Sequence, residues 1–574
     1  MNKKLFYGFI LVFSVFLLFN RTIQADAEQT RENMVITANS GDSSAELQRL
    51  LNYNKEGNYK LTVKIPAGDY DLKNELVVFS NTTVLADPNA KFTKNHQKGA
   101  MITNDLSNDK GGYTSAENIT ISGGIWDSAN VSRKNKGTES FRFIHATNIT
   151  VRDATIRNVP ENSHLITFAG VKDSLIENCT LYGYLGTKPK EAIQLDIVHD
   201  NVIVPSMQAS KILYDDLPCD GVKITNCDIY DFPRAIGSHT SIKGVFHKNI
   251  TITNNNLYDI KEAALKIYNY KDTVISNNKI HNAGVGVLVY TKISNEKNHY
   301  LEALKDTVKE PLPTDYNIVI KNNSIFNIVQ YKSGSTYSYG EAIRVMGGLQ
   351  RPLSGVTIEN NNLTDTKRYG ILMQYSPKST INNNIIKCTG NSGIYLINGC
   401  NFSQITGNEL TQTGVAANTP AGGIGLSAST DVVINKNTIT SPAKDGIFLY
   451  NMSNTCSITA NTITSANSNG IAIYSESDET TVAENTIKNY KKRGIFTSRI
   501  NSITINSNEI YGKYANDEDG IYITDTEADI DNFKLENNYV NTPDRYISYT
   551  GNTLKSFLEN STFTNMDKDT ISLY

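Results

Sequence analysis

From about residue 118 onward the chain repeats one pattern of apolar and polar positions. Short I-x-I or V-x-V runs lead into an Asn-rich turn, and a second apolar run opened by Gly or Ala follows. Examples are "ITITNNNLYDIKEAALKIYNY", "VTIENNNLTDTKRYGILMQY" and "SITANTITSANSNGIAIY". The local period is two, the mark of strands, and the unit returns about every 22 residues, the mark of a solenoid. Units of two or three short strands without a helix exclude the helical repeats, and the leucine-rich signature is absent.

Asn pairs fall at one position of the unit, as at Asn255-Asn256, Asn277-Asn278, Asn361-Asn362 and Asn383-Asn384. Asn tolerates left-handed backbone, and stacked Asn side chains hydrogen-bond from one unit to the next. The pattern predicts an all-β chain, a right-handed parallel β-helix with Asn-lined corners. The many Asn-x-Ser/Thr triplets read as turn chemistry rather than as glycan acceptors. Before the repeats, Ser43-Ser-Ala-Glu46 resembles a capping box opening the short helix "SAELQRLL", expected to cover the open first rung.

Aligning the second apolar run of each unit puts Ile193, Ile236, Leu265, Val287, Ile343 and Ile371 in one inward column. Equivalent residues of successive rungs lie about 4.8 Å apart, so the alignment predicts spatial neighbours. The next residue of each rung faces outward: Gln194, Gly237, Lys266, Leu288, Arg344 and Leu372. Two positions further lie Asp196, His239, Tyr268, Tyr290, Met346 and Gln374. Asp196, His239 and Tyr268 are thus expected to form a file, with Lys266 beside it and Gly237 clearing space. Later rungs carry small or aromatic residues here, among them Ser427, Tyr450 and Tyr474. Insertions around Asp196, at 291–317 and at 329–342 are expected to wall a cleft over residues 164–346.

Composition adds boundaries. The 574 residues are 39% hydrophobic and 20% charged, with net charge −3 and no basic stripe, which gives no reason to expect nucleic-acid binding. The 31 Tyr suit stacking on sugar faces as well as strands. A basic start, the apolar run Leu5–Phe19 and Ala25-Asp-Ala27 read as a signal peptide over 1–27, followed by an N-terminal cap and first rungs over 28–117 and β-helix repeats over 118–574. The expectation is a secreted, extracellular protein with no membrane segment after signal removal. The six cysteines lack zinc-type spacing and are too sparse for a disulfide framework, so buried free thiols are expected, with Cys179 and Cys227 at equivalent repeat positions.

The segments "AELQRLL…VKIPAGDYDL…LVVFSNTTVLADPNAKF", "AENITISGGIWDSAN" and "ITVRDATIRNVPENSHLITFAGVKDSLIENCTLYGY" resemble the pectate lyase/polygalacturonase superfamily of β-helices. The resemblance spans about residues 40–560 and implies a polysaccharide partner. The polygalacturonase branch carries paired acids, a Gly-His-Gly and an Arg-x-Lys motif. The nearest matches here are Asp231-Phe-Pro-Arg234, Gly237-Ser-His239 and Ala264-Leu-Lys266; the paired acids and the motif arginine are missing. Calcium-assisted members use acidic clusters, and no such cluster follows from spacing, so no metal ligand is assigned and a calcium cofactor stays open.

The residues themselves suggest Asp196, His239, Tyr268 and Lys266 as a catalytic set. A His–Asp contact would orient the imidazole, Tyr268 would relay a proton, and Lys266 with Arg344 would neutralise a uronate carboxylate. Gln194, Arg234, His164, Glu191 and Tyr290 join Arg344 as substrate-binding candidates. That set suits β-elimination or epimerisation of an acidic polysaccharide. The alternatives are a glycoside hydrolase using carboxylates of the Asp196 insertion, and a non-catalytic carbohydrate-binding or surface β-helix.

Overall fold

The computed structural model describes residues 31–573, except 132–137, 206–210, 292–299, 334–336, 417–420, 514–518, 526–531, 543–544, 552–558, 560 and 565–570. The expected signal peptide lies outside the described residues. The rest is a parallel β-solenoid of about 18 turns.

Each turn contributes strands to three ladders. One face is a ladder of 19 strands, from Glu32–Thr37 to Ser561–Thr564. The other two faces form a single sheet of 33 strands, joined by Asn256–Tyr268 and Lys279–Tyr290, which run through the corner between them. The parallel pairings place Ile193 beside Ile236, Ile236 beside Leu265, Leu265 beside Val287, Val287 beside Ile343 and Ile343 beside Ile371. The inward column is the one the sequence predicts, and all six side chains are fully buried. Each buried Ile or Leu contributes about 1.5–3 kcal/mol relative to exposure.

The small residue opening the third strand has a steric cause. A Cβ on Gly446 would lie 2.5 Å from the Gly470 carbonyl oxygen and 2.5 Å from Ile463. The corner before the second strand is held by an asparagine ladder. Asn255 donates to Asn278, Asn278 to Asn323, Asn323 to Asn361, and so on through Asn508 and Asn538, at 2.8–3.0 Å. The residue just before each ladder Asn takes left-handed backbone, whether it is Asn254, Asn277, Lys436 or Ala460. Asn118, Asn148 and Asn249 of the Asn-Ile-Thr triplets are also left-handed, as turn chemistry requires.

The first rung is covered by the helix Ser44–Leu51, whose N-cap Ser43 accepts from the Glu46 backbone at 3.3 Å. Glu46 pairs with Arg49 rather than closing a capping box. Leu47, Leu50 and Leu51 enter the core, and the Gln48 amide bonds both backbone groups of Val77 at 2.7 and 3.0 Å. The edge strand is thereby satisfied by a side chain rather than left open to strand addition. All six cysteines are free; five are buried and Cys388 is half-buried. Among the described residues no helix is long and apolar enough to cross a membrane.

Candidate functional site

A cleft of about 550 Å³ lies on the third face over the N-terminal half of the solenoid. Its floor is an outward column in register, Arg142 beside Thr167, Thr167 beside Gln194, Gln194 beside Gly237 and Gly237 beside Lys266. The walls come from Gln97–Gly99, Thr138, Glu139 and Asn162 on one side and Val202–Pro205 on the other. His164, Lys190, Asp196 and His239 complete the lining.

The predicted file of Asp196, His239 and Tyr268 does not form. Ladder pairing stops at Gly237, where a Cβ would lie 2.2 Å from the Lys266 carbonyl oxygen. Past that point the chain leaves the sheet, and Ser238 turns inward to bond the Leu195 carbonyl at 2.7 Å and the Tyr270 hydroxyl at 2.9 Å. His239 leans back over the Gly237 gap, and its Nδ1 lies 3.0 Å from Oε2 of Glu191. Asp196 lines the same cleft but bonds the Gln194 amide at 2.6 Å and the Ile197 N–H at 3.1 Å.

Tyr268 is buried and does not line the cleft; it stacks on Tyr290 at 4.9 Å. Tyr290 in turn packs on an outer apolar cluster with Leu288 and Met346. Arg344 is also displaced from the cleft: it lies 3.4 Å from the buried Glu341 and its guanidinium sits over the Tyr339 ring. Lys266 stays at the margin, its backbone packed against Gly237. Among the described residues, the insertion around Asp196 lines the cleft, with Lys190 before the strand and Val202–Pro205 after it, and residues of the 291–317 and 329–342 insertions do not. Leu304 and Thr307 tie down the later part of the Asp196 insertion, since Asp216 accepts from Leu304 N at 2.6 Å and Thr307 Oγ1 at 2.7 Å while bonding His199.

Glu191 lies beneath the floor rather than in the cleft, fully buried. Arg234 bonds its Oε1 at 2.9 Å and reaches Glu262 at 2.8 Å on the other side. Glu262 sits where the strand register shifts between Ile260 and Ala263, which frees it to turn toward Arg234. Burial opposes the Glu191 charge, but His239 and Arg234 together hold it well below the usual carboxylate range. An ionised carboxylate only accepts, so His239 Nδ1 carries the proton and donates it. The lone pair of His239 is then on Nε2. Burial lowers His239 below its ordinary value despite Glu191, so the ring is neutral at pH 7.

His164 repeats this arrangement one rung earlier. Its Nδ1 donates to the Glu191 carbonyl at 2.7 Å, its ring stacks on His239 at 5.9 Å, and burial lowers it to about 3. Asp196 shifts the opposite way: burial raises it well above the carboxylate range. An imidazole and a carboxyl whose burial shifts them in opposite directions therefore share one cleft, with Lys190, Lys98 and Arg142 as cations.

His164, Glu191 and His239 bring one ligand atom each within 4.8 Å of the others, close enough to hold a metal ion. The set is nitrogen-rich and suits a transition metal rather than calcium, which takes oxygen ligands. Both Glu191 oxygens are already bonded, one to Arg234 and one to His239.

Arg142, Thr167, Lys190 and Glu139 were not singled out from sequence. The signal for the first two was available: extending the inward column backward from Ile193 gives Ile166 and Phe141, whose next residues are Thr167 and Arg142. Lys190 precedes the strand and Glu139 belongs to a loop, and neither follows from the repeat.

Residues 299–421 and 354–467 match the family described as periplasmic copper-binding protein (NosD). That match covers less than half the chain and none of His164, Glu191 or His239. No curated protein is similar enough in sequence to match. Among solved structures, the surface adhesin PfbA of Streptococcus pneumoniae is similar at 16% identity and TM-score 0.39, covering 90% of this chain and 92% of that one. The A-module of mannuronan C-5 epimerase AlgE6 from Azotobacter vinelandii is 12% identical, TM-score 0.35, over 88% of this chain and 97% of that one. A family 28 exopolygalacturonase from Yersinia enterocolitica is 13% identical, TM-score 0.43, over 70% of this chain and 79% of that one. The resemblance to the pectate lyase/polygalacturonase-like β-helices holds at the level of the fold.

Proposed function

We propose that this protein is an exported enzyme that cleaves an acidic polysaccharide by β-elimination. The observation that carries the reading is that His239 and Asp196 line one cleft, with burial shifting the two in opposite directions. Titratable groups pushed apart by their surroundings are the usual assignment of base and acid.

His239 Nε2 removes the proton at C5 of a uronate, beside the carboxylate. The electron pair forms the C4–C5 double bond, the C4–O bond to the next sugar breaks, and Asp196 gives its proton to the departing oxygen. Glu191 stabilises the imidazolium that results, and Arg234 keeps Glu191 ionised and fixed. Lys190 neutralises the carboxylate as charge moves onto it.

A second reading, glycoside hydrolysis, rests on Glu139, a second carboxylate lining the same cleft as Asp196. Elimination leaves an unsaturated product that absorbs in the ultraviolet, whereas hydrolysis releases reducing ends without it. Incubating the protein with uronate polymers and following both signals separates the two readings. Retention of glycan with neither signal would make the protein a binding module.

A further inference from the structure

Three polar atoms in the cleft have no hydrogen-bond partner among the described residues: Thr138 Oγ1, Glu139 Oε2 and Thr167 Oγ1. Thr138 is 2% exposed, and Glu139 and Thr167 are each 6% exposed. All three line the end of the cleft away from Lys266. Buried polar atoms are almost always paired, and an unpaired one costs about 1–3 kcal/mol. Three such side chains lining one cavity offer it a cluster of uncommitted polar groups.

Thr167 sits on the strand Ile166–Ala169, and the loop that presents Thr138 and Glu139 is built to stay in place. The Lys94 ammonium is buried and donates to the carbonyls of Gly99, Thr138 and Glu139 at 2.5–3.3 Å. Ser163 Oγ takes the Thr138 N–H at 3.1 Å. Arg142, the nearest floor cation, is turned to the opposite wall, where it donates to the Pro205 carbonyl.

The chemistry of the three atoms defines what fits. Glu139 Oε2 is an acceptor that repels another carboxylate; the two threonine hydroxyls both donate and accept. Hydroxyl or amide N–H donors satisfy this set, whereas a carboxylate group only accepts and is repelled by Glu139. Thr167 lies two rungs, about 10 Å, from the Gly237 gap where His239 leans over the floor.

We propose that this end of the cleft is a subsite for an uncharged, donor-bearing sugar. The substrate is then a copolymer in which uronate alternates with neutral or N-acetylated residues, not a homopolyuronate. This rests on the polysaccharide reading above, though not on which bond is broken.

The test is binding of full-length protein, by calorimetry, to size-matched oligosaccharides of three kinds: homopolyuronate, uronate alternating with a neutral hexose, and uronate alternating with an N-acetylhexosamine. Glu139→Gln and Thr167→Val, both near-isosteric, are compared with wild type after their melting temperatures are shown to match. At least one alternating probe is expected to bind about tenfold tighter than homopolyuronate. Each variant should lose about tenfold more affinity for that probe than for homopolyuronate. Equal or tighter binding of homopolyuronate, no binding of either alternating probe, or unchanged affinity in both variants overturns the proposal. If the binding pattern holds but no unsaturated product forms, the subsite stands and the elimination chemistry falls.

Discussion

His239 Nδ1 donates across 3.0 Å to Oε2 of Glu191, a carboxylate that never reaches the cleft. The contact fixes the tautomer of the base from below while leaving Nε2 for substrate. Glu191→Gln would keep the shape but offer an amide that no longer demands a donor. Turnover on a uronate polymer is expected to fall at least ~100-fold, within the range for general-base catalysis. The KM should change little, because Glu191 does not touch substrate. A variant with full turnover would remove Glu191 from the mechanism.

The rate should depend on pH as a bell. His239 must be unprotonated, and burial puts it below its ordinary 6.5, so the rate rises through that lower value and is level by neutrality. Asp196 must hold its proton, and burial raises it well above the carboxylate range, so the rate falls as pH climbs through the raised value. Asp196→Asn should lower kcat about 100-fold and erase the alkaline limb of kcat/KM. Persistence of that limb in the variant would assign it to another group.

His145 makes a separate pH prediction, about stability. It is buried and bonds Asp109 at 2.7 Å and Asp215 at 3.0 Å, tying the 105–115 loop to the cleft wall. Burial opposes its charge, but the two carboxylates win and raise it to about 9. A raised value means stability fully present below about 6.5 and lost as pH rises through about 9. The stake is on the order of 3 kcal/mol. The melting-temperature gap between wild type and His145→Asn should therefore be widest near pH 6 and close by pH 10. A gap that does not change with pH would mean that His145 is held neutral.

The asparagine ladder should behave as a series of local clamps. Asn408 takes a bond from Asn384, donates to Asn437 at 2.9 Å and bonds the Ile381 carbonyl at 3.0 Å. Asn408→Ala leaves several buried groups unpaired, costing about 1–3 kcal/mol. Because each rung touches only its neighbours, hydrogen exchange should quicken near 384–437 and stay unchanged around 164–239. Uniform loosening would contradict that quasi-one-dimensional behaviour.

The architecture was legible because the signals that carry it are local and repeated. Alternating Ile, the Asn corners and the Gly before each third strand each recur, and ladder pairing turns sequence alignment into spatial alignment. Gln194 and Asp196 reach the cleft for that reason. The alignment failed where the repeat breaks. Once the chain leaves the sheet after Gly237, His239 no longer stacks over Asp196 and finds Glu191 instead. Tyr268 stays in register and is therefore buried against Tyr290. Arg344 faces outward as its register requires, but Glu341, at the repeat position that Glu191 holds in its own rung, pairs with it and keeps it from the cleft. Glu139 and Thr138 belong to a loop whose placement depends on Lys94, a contact of 44 residues' separation.

The central claim, a His239-driven elimination in the cleft, is tested most directly by one measurement. Wild-type protein and His239→Ala are incubated with a panel of uronate-containing polymers, and ultraviolet absorbance is followed beside released reducing ends. The wild type is expected to generate both signals in step on at least one polymer, and His239→Ala neither, with its melting temperature near that of wild type. Reducing ends without absorbance, or equal absorbance from His239→Ala, would contradict the account.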